Sequence, residues 1–238
     1  MAQALKLEDL LQIESIDEGN IQPRFTEIFG RRVRNVHAEE ILVADELYVA
    51  MWLRATSFPG YTFPADGFIC KNEKCEFEMF DPEYGFNFSQ ITWEANELPE
   101  VVAEKFKEFG YYPIKLRSGK TVGAHIRRRY HEGQIHSVLH EDYYSHGLIP
   151  DDYTRKLLKI ASILDLGDEY SDIKDDLREK AKILREWSAL DLLDIVKGTN
   201  ECAFTVVPIV NHICPKCGEV TPLKGYPFHP ALYIPQSP

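Results

Sequence analysis

Two pairs of cysteines set the strongest limit on how this chain folds. Cys214 and Cys217 stand in His-Ile-Cys-Pro-Lys-Cys-Gly, residues 212–218, with Pro215 between them and Gly218 directly after. A turn of this kind points two thiolates at one ion, and glycine supplies the positive φ that lets backbone N–H groups face the sulfurs. A tetrahedron needs two more ligands. Cys70 and Cys75, with four residues between them, form a second close pair within the usual spacing for structural zinc. The simplest completion is one site made of Cys70, Cys75, Cys214 and Cys217. Cys75 and Cys214 lie 139 positions apart, so the metal clips the first third of the chain to its end. The entropic cost of so long a loop grows only logarithmically, and metal binding contributes on the order of 10 kcal/mol. Four unpaired buried thiols or two disulfides are the alternatives, and an iron–sulfur cluster competes less well because the spacings fit none of its common runs. The remaining Cys202 reads as a buried thiol at the start of a strand, and His212 as packing or support beside the knuckle.

At 238 residues, with 44% hydrophobic and 27% charged side chains, the chain is long enough for a sizeable core. Its net charge of −11 argues against a general nucleic-acid binder. Acids near the first residues, no apolar leader and no membrane-length apolar run point to synthesis in a cytosol with reduced thiols.

Hydropathy patterning predicts an α+β fold. A small zinc-ribbon-like β region joins residues 60–95 with 203–235, and a β-hairpin and an acidic helical segment lie between. The expected organisation is an N-terminal arm over 1–40, one metal-clipped domain over 41–235 with a helical subdomain at 151–198, and a C-terminal tail over 227–238. Residues 25–37 read as a loop or short strand, with Arg31, Arg32 and Arg34 on a solvated face. A helix capped by Asp45 runs to Arg54 with Leu47, Tyr48, Met51 and Trp52 as its inward stripe. The first cysteine pair falls at a hairpin tip between strands at Phe68–Ile69 and 76–80. A helix follows from Pro99 to Phe109, then a hairpin over 112–126. Residues 151–197 read as helical throughout: one helix ended by Gly167, a second from Asp168 to Trp187, and a third opened by Ser188 and ended by Lys197-Gly198. Residues 204–210 form a strand running into Cys214.

Two clusters suggest other chemistry. Residues 111–131 hold six basic side chains and no acid: Lys115, Arg117, Lys120, Arg127, Arg128 and Arg129. On so acidic a chain, this island neutralises the chain's own acids or meets a protein partner sooner than it meets phosphates. His131, His136, His140 and His146 resemble a metal cluster, but Ser137 follows His136 where the catalytic zinc signature needs Glu, and a His-rich surface helix is the better reading. No P-loop, dinucleotide turn, nucleophile elbow or His-Glu-x-x-His occurs, so no enzyme is expected.

The order of these pieces resembles the T4-type baseplate (hub) proteins of contractile-tailed phages. The Asp45–Arg54 helix precedes a Gly-aromatic strand and the first cysteine pair. Then come the Ser118-Gly119-Lys120 hairpin turn, an acidic helical stretch, the Cys214–Gly218 knuckle and an aromatic tail from Phe228 to Tyr233. The likeness spans roughly residues 40–235 and departs from the family pattern at the first knuckle, which has four intervening residues in place of two. It implies a non-enzymatic structural or assembly protein of a phage tail, with a structural zinc. Its partners would be other tail or baseplate proteins, including a hub or tape-measure protein, and not a small-molecule substrate, a membrane or nucleic acid. Its place would be the virion, or the host cytoplasm during assembly. The alternative is a zinc-ribbon regulator binding nucleic acid through residues 115–129, which requires a net basic, salt-sensitive module.

Overall fold

Among the described residues, those up to position 40 are predominantly helical. Helix α1 (Leu7–Glu14) lies on α2 (Ile21–Arg32), and α3 (Glu46–Ser57) follows two short 3-10 turns. The computed structural model describes residues 3–14, 21–60, 62–64, 68–79 and 85–224. Strands β1 (Phe63–Pro64), β2 (Phe68–Ile69), β3 (Glu78–Met79), β4 (Gly85–Phe86) and β5 (Ile91–Ala95) come next, then helix α4 (Glu100–Phe109). The middle of the chain holds β6 (Tyr112–Lys115), β7 (Thr121–Ala124), α5 (Arg129–Asp142), α6 (Asp152–Ile163) and β8 (Leu164–Asp165). It ends with α7 (Leu177–Glu186), α8 (Ala189–Glu201), β9 (Val206–Ile213) and β10 (Val220–Lys224).

The fold is α+β, with helices packed around small antiparallel sheets. Among the described residues β1 pairs with β4, β2 with β3, β6–β7–β8 form one three-stranded sheet, and β10–β9–β5 form another. The last of these joins the two ends of the predicted β region, with Ile91 opposite Val210 and Ala95 opposite Val206. Helix α3 sits between two cores. Its Ala50 and Leu53 pack with Phe25, Ile28 and Phe29 of α2, and its Met51 packs with Phe63, Phe86, Ile91 and Val210. The largest core lies between the β6–β7–β8 sheet and helices α5 to α8, around Val122, Ala124, Leu158, Leu184 and Ile195.

Several expectations need correction. Residues 25–32 are helix, not loop or strand: Phe25, Ile28, Phe29 and Arg32 are buried at helical spacing. The run of arginines there is not a solvated face, because Arg32 is buried against Asp9. Residues 151–197 are not helical throughout. Leu164 and Asp165 leave α6 to pair with Ala124 and Gly123, Asp168–Ile173 form a 3-10 segment, and α7 begins only after Asp176, whose carboxylate accepts from the Arg178 and Glu179 N–H groups. Helix α8 starts as expected, with Ser188 Oγ accepting from Asp191 N, but passes through Gly198 to Glu201. Asp45 makes no side-chain cap to α3, and the buried stripe of that helix includes Ala50, Leu53 and Arg54 while Tyr48 is exposed. Residues 227–238, the expected tail, lie outside the described residues.

Candidate metal centre

The first knuckle is the β2–β3 hairpin. Phe68 pairs with Met79 and Ile69 with Glu78, and Cys70 N donates to Phe77 O at 2.9 Å, which holds Cys70 and Cys75 on one tip. The second knuckle is the β9–β10 hairpin, in register from Ile213–Val220 down to Ile209–Lys224. Its turn is closed by Cys214 N donating to Glu219 O at 2.9 Å and Gly218 N donating to Cys214 O at 2.8 Å. Gly218 takes φ +75°, and Glu76, the residue after Cys75, takes φ +47°. Each knuckle thus turns through a left-handed residue directly after its second cysteine.

The tips meet. Cys70 Sγ lies 3.6 Å from Cys217 Sγ and Cys75 Sγ 3.7 Å from Cys214 Sγ, and all four sulfurs fall within 4.8 Å of one another. These separations are too long for disulfides. A tetrahedral ion with metal–sulfur bonds near 2.3 Å sets sulfur–sulfur edges of about 3.8 Å. The cage therefore fits one tetrahedral ion, and the four residues predicted from spacing are brought together in a group that could hold a metal. Cys70, Cys75 and Cys214 are buried and Cys217 is exposed. Asn72 Nδ2 donates to Cys217 Sγ at 3.8 Å, and Lys216 Nζ donates to Cys75 O at 2.8 Å, each tying one knuckle to the other. Neither residue carries a sequence signal that marks it for this role.

Without a cation the thiols of the two knuckles differ in how readily they ionise. Burial, then the neighbouring thiols, pushes Cys75 up to about 12, and burial also raises Cys70. Cys214 moves the other way: burial opposes ionisation, but the N–H groups of Cys217 and Lys216 outweigh it and bring the thiol down to about 7. The backbone donors thus favour the thiolate at Cys214, and a divalent cation would supply the charge that displaces the protons of Cys70 and Cys75.

Compared with protein-family models, curated proteins and solved structures, the chain matches none.

The other sequence candidates fall elsewhere. His212 is buried, its ring stacked on Phe68 with centroids 5.1 Å apart, and is packing. Cys202 is a buried thiol that ends α8, not one that starts a strand, and its Sγ donates to Thr199 O at 3.4 Å. The histidines of α5 do not gather: among the described residues the four cysteines are the one group of His, Cys, Asp and Glu placed to hold an ion. His136 and His140 lie on one helix face with tilted rings 6.0 Å apart, but His131 is 1% exposed, not on the surface, and its Nδ1 accepts from Arg128 N at 2.9 Å. The basic island turns inward on the chain's own acids. Arg117 meets Asp194, Lys120 meets Glu169, Arg127 meets Glu132, Arg128 meets Glu40, and buried Arg129 meets Glu46 at 2.8 Å.

Proposed function

We propose that this chain is a non-enzymatic structural or assembly protein of a phage tail baseplate or hub, and that its four thiols hold a structural zinc. The observation that carries the architectural role is the closed donor set. Four protein thiolates fill every position of a tetrahedral ion, so none is left for a substrate or an activated water. Zinc is the ion that a four-thiolate tetrahedron without a redox partner takes most readily. The baseplate assignment rests on the order of motifs in the sequence.

The charge pattern supports contacts with protein in preference to nucleic acid, because the cations of residues 117–129 are paired with carboxylates of the same chain. Exposed apolar side chains supply contact surface: Ile149 is 82% exposed, and Leu193 of α8 and Val101 of α4 are also open to solvent. Affinity purification from infected cells tests the role. Tail proteins are expected to dominate and nuclease treatment to change nothing, whereas recovery of mainly nucleic acid favours the zinc-ribbon regulator. Metal content tests the site separately: one zinc per chain is expected, lost in Cys75→Ser and Cys217→Ser, and full retention by both variants refutes the four-thiolate centre.

A further inference from the structure

A cavity of about 470 Å³ opens where four parts of the chain meet: the approach to α3, the link from β7 to α5, the end of α6, and the turn from α8 into β9. Its wall is mostly hydrocarbon, from Leu47, Ile126, Ile160, Ile163 and Phe204. The volume lies in the range of small-ligand sites, which favour such junctions. Its charge is what sets it apart. The chain carries 38 acidic against 27 basic side chains, yet among the described residues no Asp or Glu lines this cavity, while Arg127 and Lys159 do. Arg127 is held by Glu132 through Nη2. Lys159 is exposed and enters no ion pair among the described residues. Burial lowers the pKa of His125, which also lies in the wall.

We propose that this cavity binds a small organic anion with an apolar body, of the medium-chain carboxylate class. The hydrocarbon part occupies the apolar wall, and the carboxylate meets the exposed Lys159 ammonium. A charge-assisted bond to that ammonium is stronger than a neutral one. The site is separate from the four thiols and does not depend on the tail assignment.

The test is NMR titration of the zinc-loaded full chain with octanoate, and with octanol as the uncharged probe of equal length. Octanoate is expected to give saturable shifts confined to residues 125–127, 159–163 and 199–206. Ala203 is an exposed residue of the cavity wall, so Ala203→Trp blocks entry without disturbing a core and weakens octanoate by about tenfold or more. Lys159→Gln, a surface change, weakens octanoate about threefold and leaves octanol unaltered. Shifts scattered over exposed apolar residues such as Ile149 and Leu193, or unchanged affinity in Ala203→Trp, overturn the site. Octanol binding as tightly as octanoate overturns the anionic class.

Discussion

Glu76 and Gly218 occupy equivalent places, each completing a knuckle in left-handed conformation. Nothing lies within 4 Å of a Cβ added at Gly218, so replacing it tests backbone conformation alone. Gly218→Ala is expected to cost about 1 kcal/mol, read from the denaturant midpoint of the zinc-loaded protein. Glu76→Gly relieves a similar strain and is expected to leave stability within about 0.5 kcal/mol, because glycine's extra unfolded-state freedom opposes the gain. His131 predicts a pH dependence. Burial, then the charges of His125, Lys180 and Arg127, hold its imidazole down at about 4, against 6.5 ordinarily. The folded chain therefore binds fewer protons than the unfolded chain between these values. Its contribution is fully present above pH 6.5 and is lost as pH falls toward 4, by up to about 3 kcal/mol. His131→Gln keeps an acceptor for the Arg128 N–H, as in a capping box, and is expected to flatten this part of the stability–pH curve in urea titrations at pH 4.5 and 7.

Between elements, two contacts fix geometry that no local signal specifies. Asp9 of α1 is 0% exposed, and its Oδ2 accepts from Arg32 Nε of α2 at 2.6 Å while its Oδ1 accepts from Arg31 at 3.0 Å. Burial alone raises its pKa, but Arg32, the Lys6 N–H and Arg31 outweigh it and hold the carboxyl below its ordinary 3.8. This pair contributes stability above pH 3.8, lost as pH drops through the folded value. Asp9→Ala leaves the buried Arg32 guanidinium with only the exposed Glu8 as partner and is expected to cost about 2 kcal/mol. The double change Asp9→Leu with Arg32→Met is expected to cost less than the single one, as paired urea melts will reveal. The second contact is α8 against β6. A Cβ at Gly198 meets Ile114 Cδ1 and Cγ1 at 2.6 Å, so the glycine is there for close approach and not to end the helix. Gly198→Ala gains helix propensity but overpacks this contact, for a net loss of about 1 kcal/mol, and Ile114→Val is expected to relieve it in a thermal melt.

For the whole molecule, the cores differ in what holds them. Among the described residues the one around the thiols contains Phe68, Cys70, Cys75 and Cys214 with Phe77 against them, whereas the helical core is far larger. Chelation is therefore expected to expose amides of residues 68–79 and 206–224 to hydrogen exchange first and to leave Val122, Ala124 and Leu184 protected. Simultaneous loss of protection in both regions refutes the ranking. Acid acts in the same sense as chelator. Protons compete for thiolates, most strongly at Cys75, whose thiol stands at about 12 without metal, so zinc retention is expected to fall as pH is lowered from 7 to 5, measured by dialysis and metal analysis.

Much of the four-cysteine cluster was legible in one dimension, because cysteine spacing, a Pro-x-Cys-Gly turn and flanking alternation are local properties that a hairpin preserves wherever it packs. The 112–126 hairpin and the start of α8 were legible for the same reason: their registers and caps are set by neighbours in sequence. What only the tertiary structure decided was the use made of charge and of breaks in helices. Arg32, Arg129 and His131 look like surface residues until a distant Asp9, Thr26 or Glu46, or a buried helix start, shields them from water. Leu164–Asp165 leave a helical pattern because β7 offers an open edge, and the cavity at Arg127 and Lys159 exists only where four separate segments converge. Side-chain type records a residue's preference for water, but the desolvation and pairing that override it depend on partners that only the folded chain brings close.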